Sequence, residues 1–260
     1  MRSTPFITFT TDFGTRDGFV AQMKGVILRI NPEARLIDTT HDIEPYSVLQ
    51  AALVLKGISR YFPAGTIHVA VVDPGVGGNR RGMALKAGDQ MYVGPDNGLF
   101  SLVIAEHDAW EARRIENAGY TLPDPHPTFH GRDVFAPVAA HLSTGKSLES
   151  VGARIRDPVA LSMASPMISD HGVEGRVIHV DRFGNLTTNI EAEMLPARVG
   201  SIETAGLTIP GLSRYFGEVE EGRPLALINS FGLLEIAVNR GDAARELAAG
   251  VGTGVTVTVA

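Results

Sequence analysis

The sequence predicts an α/β N-terminal domain with a mainly parallel sheet, followed by a small antiparallel, barrel-like β C-terminal domain. Three observations carry that reading. Strand-like and helix-like segments alternate through the first half, which implies parallel strands covered by helices. One stretch there, "TIHVAVVDPG", is almost continuously apolar, as a strand buried on both faces must be. Toward the C-terminus, short runs rich in Val, Ile, Leu and Thr, punctuated by Gly, Asn and Pro, replace the helical spacing. The domains are read as 1–160 and 172–260, joined by a linker at about 161–171 within the aperiodic "RDPVALSMASPMISDHG".

Each element has its own signal. "FITFTTDF" alternates apolar residues with threonine and reads as a strand ending at Asp12. After it, Phe19, Met23, Val26, Ile27 and Ile30 fall at helical spacing, and Asn31 and Pro32 end that helix. "EPYSVLQAALVLKGISRYFPAG" repeats the pattern, with Ser47 as the expected cap and Pro63 as the stop. From Met83 the pieces become hairpin-like, "MALKAGDQMYVGPDNG". A helix around "RDVFAPVAAHLSTG" follows, in which Pro137 is tolerable only near the first turn. The second domain offers "GRVIHVD", "NLTTNI", "PLALINS", "LLEIAV" and "GVTVTVA" as strands and "DAARELAA" as a helix.

Composition narrows the function classes. The 260 residues are 44% hydrophobic and 20% charged, with formal net charge -6. A mildly acidic chain whose basic pairs, Arg80–Arg81 and Arg113–Arg114, stand isolated is not a general nucleic-acid binder. The lack of cysteine removes disulfides, thiolate zinc sites and a cysteine nucleophile together. No long apolar signal region opens the chain and no stretch approaches a membrane span, so a cytoplasmic protein without a membrane partner is expected.

The ligand crevice of a parallel sheet lies at the carboxyl ends of its strands, where Asp12 and Asp73 fall. Each is followed closely by glycine, which lets a ligand approach the backbone, although an Asx turn or a cap is the plainer use of either. "DPGVGG" is neither a dinucleotide fingerprint nor a P-loop: the spacing differs, no Lys-Ser/Thr follows, and the next segment reads as a strand. In "PTFHGRDVF", His130 suits a general base or a simple bond to a carbonyl, and Arg132 with Asp133 most simply pair or cap a helix. The same two readings apply to His41. Asp181 and Asn185 flank a Phe-Gly turn, and Ser230, Glu235 and Asn239 sit on an apolar strand and its turns. Such groups are costly unless paired, so a ligand or a partner subunit is expected to complete them.

Taken together, "TDFGTRDGFVAQMKG", "DIEPYSVLQAA", "VVDPGVGGNRRG", "YVGPDNGLFS", "TFHGRDVFAPVAAHL", "DRFGNLTTNI" and "NSFGLLEIAVNRGDAA" resemble, in order from Thr11 to about Ala244, the S-adenosyl-L-methionine (SAM) hydrolases, also called SAM hydroxide adenosyltransferases. These are relatives of the SAM-dependent fluorinase and chlorinase. The resemblance implies that Asp12 grips the ribose hydroxyls and that Tyr46 flanks the ribose and sulfonium. It puts Asp181, Asn185, Ser230 and Glu235 at the methionine end, Asn239 and the backbone near Arg240 at the adenine, and Phe216 in a stack on adenine, with Tyr215 as the alternative ring. It implies a homotrimer with sites between the N-terminal domain of one subunit and the C-terminal domain of its neighbour. Asp73, Arg80 and His130 match the trio that marks the hydrolase branch. The halogenases carry an aromatic residue in place of the aspartate and a small hydroxyl residue where this chain has Gly131.

The activity so implied is hydrolysis of SAM to adenosine and L-methionine by attack of water or hydroxide on C5′ of the ribose. Neither metal nor cofactor is expected, because the sulfonium is already an activated leaving group. Asp73 is expected to orient the water, His130 to share in taking its proton and Arg80 to fix the aspartate; sequence does not decide the final proton acceptor. Three other readings stay open. They are a halogenase-like enzyme, a metal-dependent hydrolase built on Asp12, Asp17, His41, Asp73 and His130 without a compact motif such as HExxH, and a non-catalytic sensor of an adenosyl ligand.

Overall fold

The computed structural model of the chain describes residues 6–162 and 164–260. It divides into two compact units, residues 1–162 and 163–260.

The first unit runs β1 (Phe6–Thr11), α1 (Phe19–Ile30), β2 (Arg35–Thr40), α2 (Val48–Ser59), β3 (Ile67–Val71), β4 (Gly82–Ala87), β5 (Gln90–Pro95), α3 (Ser101–Ala105), β6 (Trp110–Arg114), α4 (Ala136–Ser143) and β7 (Arg154–Ile155). Its sheet has the order β2-β1-β3-β5-β4-β6-β7. The β2-β1-β3-β5 half is parallel, and β4, β6 and β7 extend it with antiparallel pairings. Alternation along β3 explains the apolar run. Ile67, Val69 and Val71 pack into one core with Met23 and Ile27 of α1 and Val138 of α4. Ala70 and Val72 pack into the other with Ala51 and Leu55 of α2 and Val103 of α3. Helices thus cover both faces, and the carboxyl ends of β1 and β3 lie side by side, with Thr11 paired to Val71.

The second unit runs β8 (Met167–Ser169), β9 (Gly172–Val180), β10 (Leu186–Glu191), β11 (Val199–Thr204), β12 (Leu207–Pro210), β13 (Pro224–Ile228), β14 (Leu233–Val238), α5 (Ala243–Glu246) and β15 (Gly254–Val259). All its pairings are antiparallel, in the order β12-β11-β15-β9-β10-β14-β13, with β8 added beside β9. The ends of that path, β12 and β13, come together, which curls the sheet toward a barrel around Val177, Leu186, Ile202, Ile236 and Val257. Among the described residues no helix is long and apolar enough to cross a membrane.

Several expectations need correction. Ser47 does stand at the N-terminus of α2, but its side chain makes no capping bond. Phe19 is not a core residue. It is 43% exposed, and its neighbour Val20 is the buried side chain of that turn. The stretch read as a linker contains β8, a three-residue strand whose exposed side chains leave no periodicity to detect. The "DAARELAA" helix shrinks to a single turn, capped by Asp242 accepting from the Arg245 amide at 2.9 Å.

Candidate active site

Each candidate in the first unit is placed by the end of a parallel strand. Asp12 directly follows β1, and its Oδ2 accepts the amide of Tyr46 at 3.0 Å. Tyr46 itself is held at φ 69° and is 71% exposed. A non-glycine residue in the left-handed region costs energy, and a ring left in solvent returns little of it, a combination that marks functional positions.

Asp73 lies two residues beyond β3, at the head of the glycine loop. The loop folds back in two turns, Val76 N to Asp73 O at 3.2 Å and Gly78 N to Gly75 O at 3.0 Å. Gly77 sits at φ 76°, and a Cβ there would stand 2.5 Å from the Pro127 carbonyl. Only glycine permits both the turn and that approach. The loop thereby brings Arg80 back onto Asp73 and sets both against the segment that carries His130.

The three side chains form one chain of hydrogen bonds. Arg80 Nε donates to both Asp73 carboxylate oxygens at 2.9 Å, and Nη2 also donates to Oδ2. Arg80 Nη2 lies 2.8 Å from His130 Nδ1. The pair is withdrawn from solvent, with the aspartate side chain only 5% exposed. A guanidinium has donors and no acceptor, so His130 Nδ1 must offer its lone pair and the neutral ring keeps its hydrogen on Nε2. Burial, reinforced by the charge of Arg80 and opposed by Asp73 and Asp133, holds the imidazolium pKa below the usual histidine value. His130 therefore presents an N–H donor at neutral pH, where the sequence suggested a share in accepting the proton.

Asp12, Tyr46, Asp73 and His130 line one cavity of about 350 Å³. Three of its walls escaped the sequence reading. Phe13, Phe19 and Phe129 pack edge to face with centroids 5.3–5.9 Å apart, which is why Phe19 stays out of the core. Its half-exposed place in the first turn of an apolar helix face is indistinguishable by spacing from a core position. Gly131 is packed beneath the same rings: a Cβ would meet Met23 Sδ at 3.2 Å, Phe129 at 3.3 Å and Phe13 at 3.4 Å.

Of the residues of the metal reading, Asp12, Asp73 and His130 share the cavity, but His41 and Asp17 stand apart from it. His41 is buried between Thr11 Oγ1, 2.9 Å from Nδ1, and Asp38 Oδ1, 3.0 Å from Nε2, and Asp17 is exposed. Among the described residues no group of three or more His, Asp or Glu is placed to hold a metal ion. Arg132 and Asp133 form the local pair expected of them, at 2.6 and 2.9 Å.

In the second unit, Asp181, Asn185, Phe216, Ser230, Glu235, Asn239 and Arg240 all line one cavity of about 800 Å³, together with Tyr215. The expectation that these polar groups lack partners does not hold. Asp181 Oδ1 accepts the amides of Phe183 and Asn185 at 2.8 and 2.9 Å, and Asn185 Nδ2 donates to Oδ2 at 3.0 Å, so the β9–β10 turn satisfies them. Asn239 Nδ2 donates to Val219 O at 2.7 Å, and Arg240, at φ 56°, pairs with Glu221. Glu235 Oε2 accepts from Thr187 Oγ1 at 3.3 Å and from Asn229 Nδ2 at 3.0 Å. Burial, with the nearby Asp181 charge, still raises its pKa above the usual carboxylate value. Asn229 was missed because its signal is that of a turn: its Oδ1 caps the amides of Phe231 and Leu233. Phe183 and Phe231, exposed at the tips of two turns on this cavity, were missed likewise.

Residues 7–152 match the family model described as SAM hydroxide adenosyltransferase N-terminal domain, and residues 175–256 match the corresponding C-terminal domain. The chain belongs to the SAM hydroxide adenosyltransferase family. Its curated relatives include a protein named (R)-S-adenosyl-L-methionine hydrolase from Salinispora arenicola (strain CNS-205), 40% identical over 99% of both chains. A protein named fluorinase from Actinoplanes sp. (strain N902-109) is more distant, at 31% identity over 98% of both chains. Among solved structures, an uncharacterized conserved protein from Thermotoga maritima superposes with a TM-score of 0.90 at 40% identity, covering 97% of this chain and 99% of the other.

Proposed function

We propose that the protein hydrolyses SAM to adenosine and L-methionine by attack of a water molecule on C5′ of the ribose. The observation that carries the reading is the Asp73–Arg80–His130 chain on a cavity that Asp12 and Tyr46 also line. In this reading Asp12 holds the ribose hydroxyls and Tyr46 faces the ribose and sulfonium, whose charge an aromatic face attracts. His130 Nε2–H donates to the nucleophilic oxygen, and Asp73, with lone pairs beyond those that Arg80 uses, takes its proton. The O–C5′ bond forms as the C5′–S bond breaks; the electron pair leaves on sulfur, and methionine departs as a neutral thioether. Alignment contributes the larger share, about 7–11 kcal/mol in favourable cases, against about 10²- to 10⁴-fold for the base. The apolar ring wall limits water to the oxygen held in line, and the crowding at Gly131 argues against a hydroxyl side chain there.

In the second cavity, Asp181, Asn185, Ser230 and Glu235 receive the methionine portion. Asn239, the backbone near Arg240 and the Phe216 ring receive adenine, with Tyr215 beside Phe216 as the other candidate ring. The proposal includes a metal-independent reaction, a cytoplasmic location and a homotrimer. The trimer is supported by the exposure of Phe183, Phe216 and Phe231 together on one cavity, which solvent disfavours. Incubation with SAM, followed by chromatography for adenosine and methionine, tests the activity directly. Equimolar products, formed equally well after treatment with a chelator, are expected. SAM left intact by folded protein refutes the proposal, and SAM bound but unchanged converts it to a sensor.

A further inference from the structure

Helix α4 cannot extend backwards as a regular α-helix. Pro137 has no N–H for the carbonyl four residues earlier, that of Asp133, and its ring would crowd that oxygen. Asp133 O accepts instead from Leu122 N at 2.8 Å. The backbone over Gly131–Phe135 widens into a π-type turn in which Ala136 N donates to Gly131 O. That widening moves side chains. Residues five apart point about 140° apart around an α-helix, whereas an i→i+5 repeat returns them toward one face. His130 and Phe135 are so related. Both meet Arg80, whose guanidinium carbon lies 5.2 Å from the centre of the Phe135 ring and whose Nη2 lies 2.8 Å from His130 Nδ1. The two rings stand nearly perpendicular, at 79° and 6.5 Å. Phe135 is fully buried, and Gly82 leaves room for it: a Cβ there would come to 3.3 Å from the ring.

We propose that Phe135 is a positioning residue that holds the Arg80 guanidinium against its ring face, keeping Nη2 on His130 Nδ1 and Nε2–H toward the reacting oxygen, and that Pro137 enforces this through the π-type turn. The proposal rests on the hydrolytic reading for its effect on rate. Its geometric content stands without turnover, because attraction between a guanidinium and a ring face fixes the orientation in the resting protein.

The Phe135→Leu variant keeps an apolar side chain and removes the ring face. Its kcat is expected to fall about tenfold, with KM for SAM changed by less than about twofold. Nitrogen NMR of the His130 ring is expected to show one Nε2–H tautomer in the wild type and a mixture in the variant. Pro137→Ala, which frees the turn to become α-helical, is expected to act in the same direction and carries the test should Phe135→Leu fail to fold. A folded variant with unchanged kcat and an unchanged tautomer overturns the proposal. So does a loss of rate with the tautomer intact, which a merely structural role produces. A wild type that forms no adenosine defeats the hydrolytic reading alone, since the tautomer comparison still decides the place of Phe135.

Discussion

Arg80 divides its donors between a carboxylate on one side and an imidazole on the other, and the consequences differ for the two. Replacing Asp73 with asparagine removes the charge, and either Arg80 faces an amide donor or the amide oxygen alone replaces two carboxylate acceptors. We expect Asp73→Asn to lower kcat by about 10²- to 10⁴-fold, with KM for SAM little changed because Asp12 and Tyr46 are untouched. A variant that hydrolyses SAM at the wild-type rate excludes Asp73 from the chemistry. For His130 the prediction concerns pH. Protonation would put a hydrogen on Nδ1 against the Arg80 donor and break the chain, so the neutral ring is the active form. Because its pKa is depressed in the folded protein, activity should be complete above the ordinary histidine value of about 6.5 and decline only as pH falls through a lower midpoint. The pH dependence of kcat/KM reports that limb. Activity that rises as pH falls through this range contradicts the assignment.

At the scale of elements, β1, β3 and β5 are joined by a buried polar chain as well as by their ladders. His68 Nδ1 lies 2.7 Å from Thr8 Oγ1, His68 Nε2 lies 3.0 Å from Gln90 Oε1, and Gln90 Nε2 donates to Ser59 O and Phe62 O at 2.7 and 2.9 Å. Burial lowers the His68 pKa to about 4. A depressed folded-state pKa makes this stability fully present above the unfolded value of about 6.5, and it is lost as pH falls toward about 4; the shift is worth about 3 kcal/mol. Denaturant unfolding at pH 7.5 and pH 4 should therefore show a loss that is smaller in His68→Asn by about the His68 share, the remainder coming from other groups with lowered pKa values such as His130 and Asp133, and equal losses in both proteins would contradict it. His68 illustrates what sequence conceals: within "TIHVAVV" it looks like a blemish in an apolar strand, and only the neighbouring strands supply Thr8 and Gln90. The strands themselves were legible because burial on both faces leaves a continuous apolar run. The π-type turn was half legible. Pro137 announces an irregular helix start, yet the direction in which His130 and Phe135 then point depends on the Leu122–Asp133 bond, which is remote in sequence. Phe19 and β8 escaped for the opposite reason, since an exposed ring on an apolar helix face and a three-residue edge strand carry no distinguishing period.

At the scale of the whole molecule, the candidate ligand residues fall in two units, each with its own cavity and its own exposed rings. The change from helical to strand periodicity made the two-part architecture legible. The grouping of seven residues from Asp181 to Arg240 around one cavity was not legible from their spacing, because it depends on how the antiparallel strands bring their turns to one place. If both cavities serve one ligand, that ligand must stabilise the native protein through contacts in each. The Asp73→Asn variant allows the measurement without turnover. Saturating SAM at about 100 times its dissociation constant should stabilise it by about 2.7 kcal/mol, which for a chain of this size raises the unfolding midpoint by about 5–10 °C. Tyr46 and Phe216 are exposed rings in different units, so truncating either costs the apo fold little. Tyr46→Ala and Phe216→Ala, each placed in the Asp73→Asn background, should both reduce the SAM-induced shift while leaving the midpoint without SAM nearly unchanged. A shift that responds to only one of the two substitutions confines SAM to a single unit and removes the shared-ligand part of the proposal.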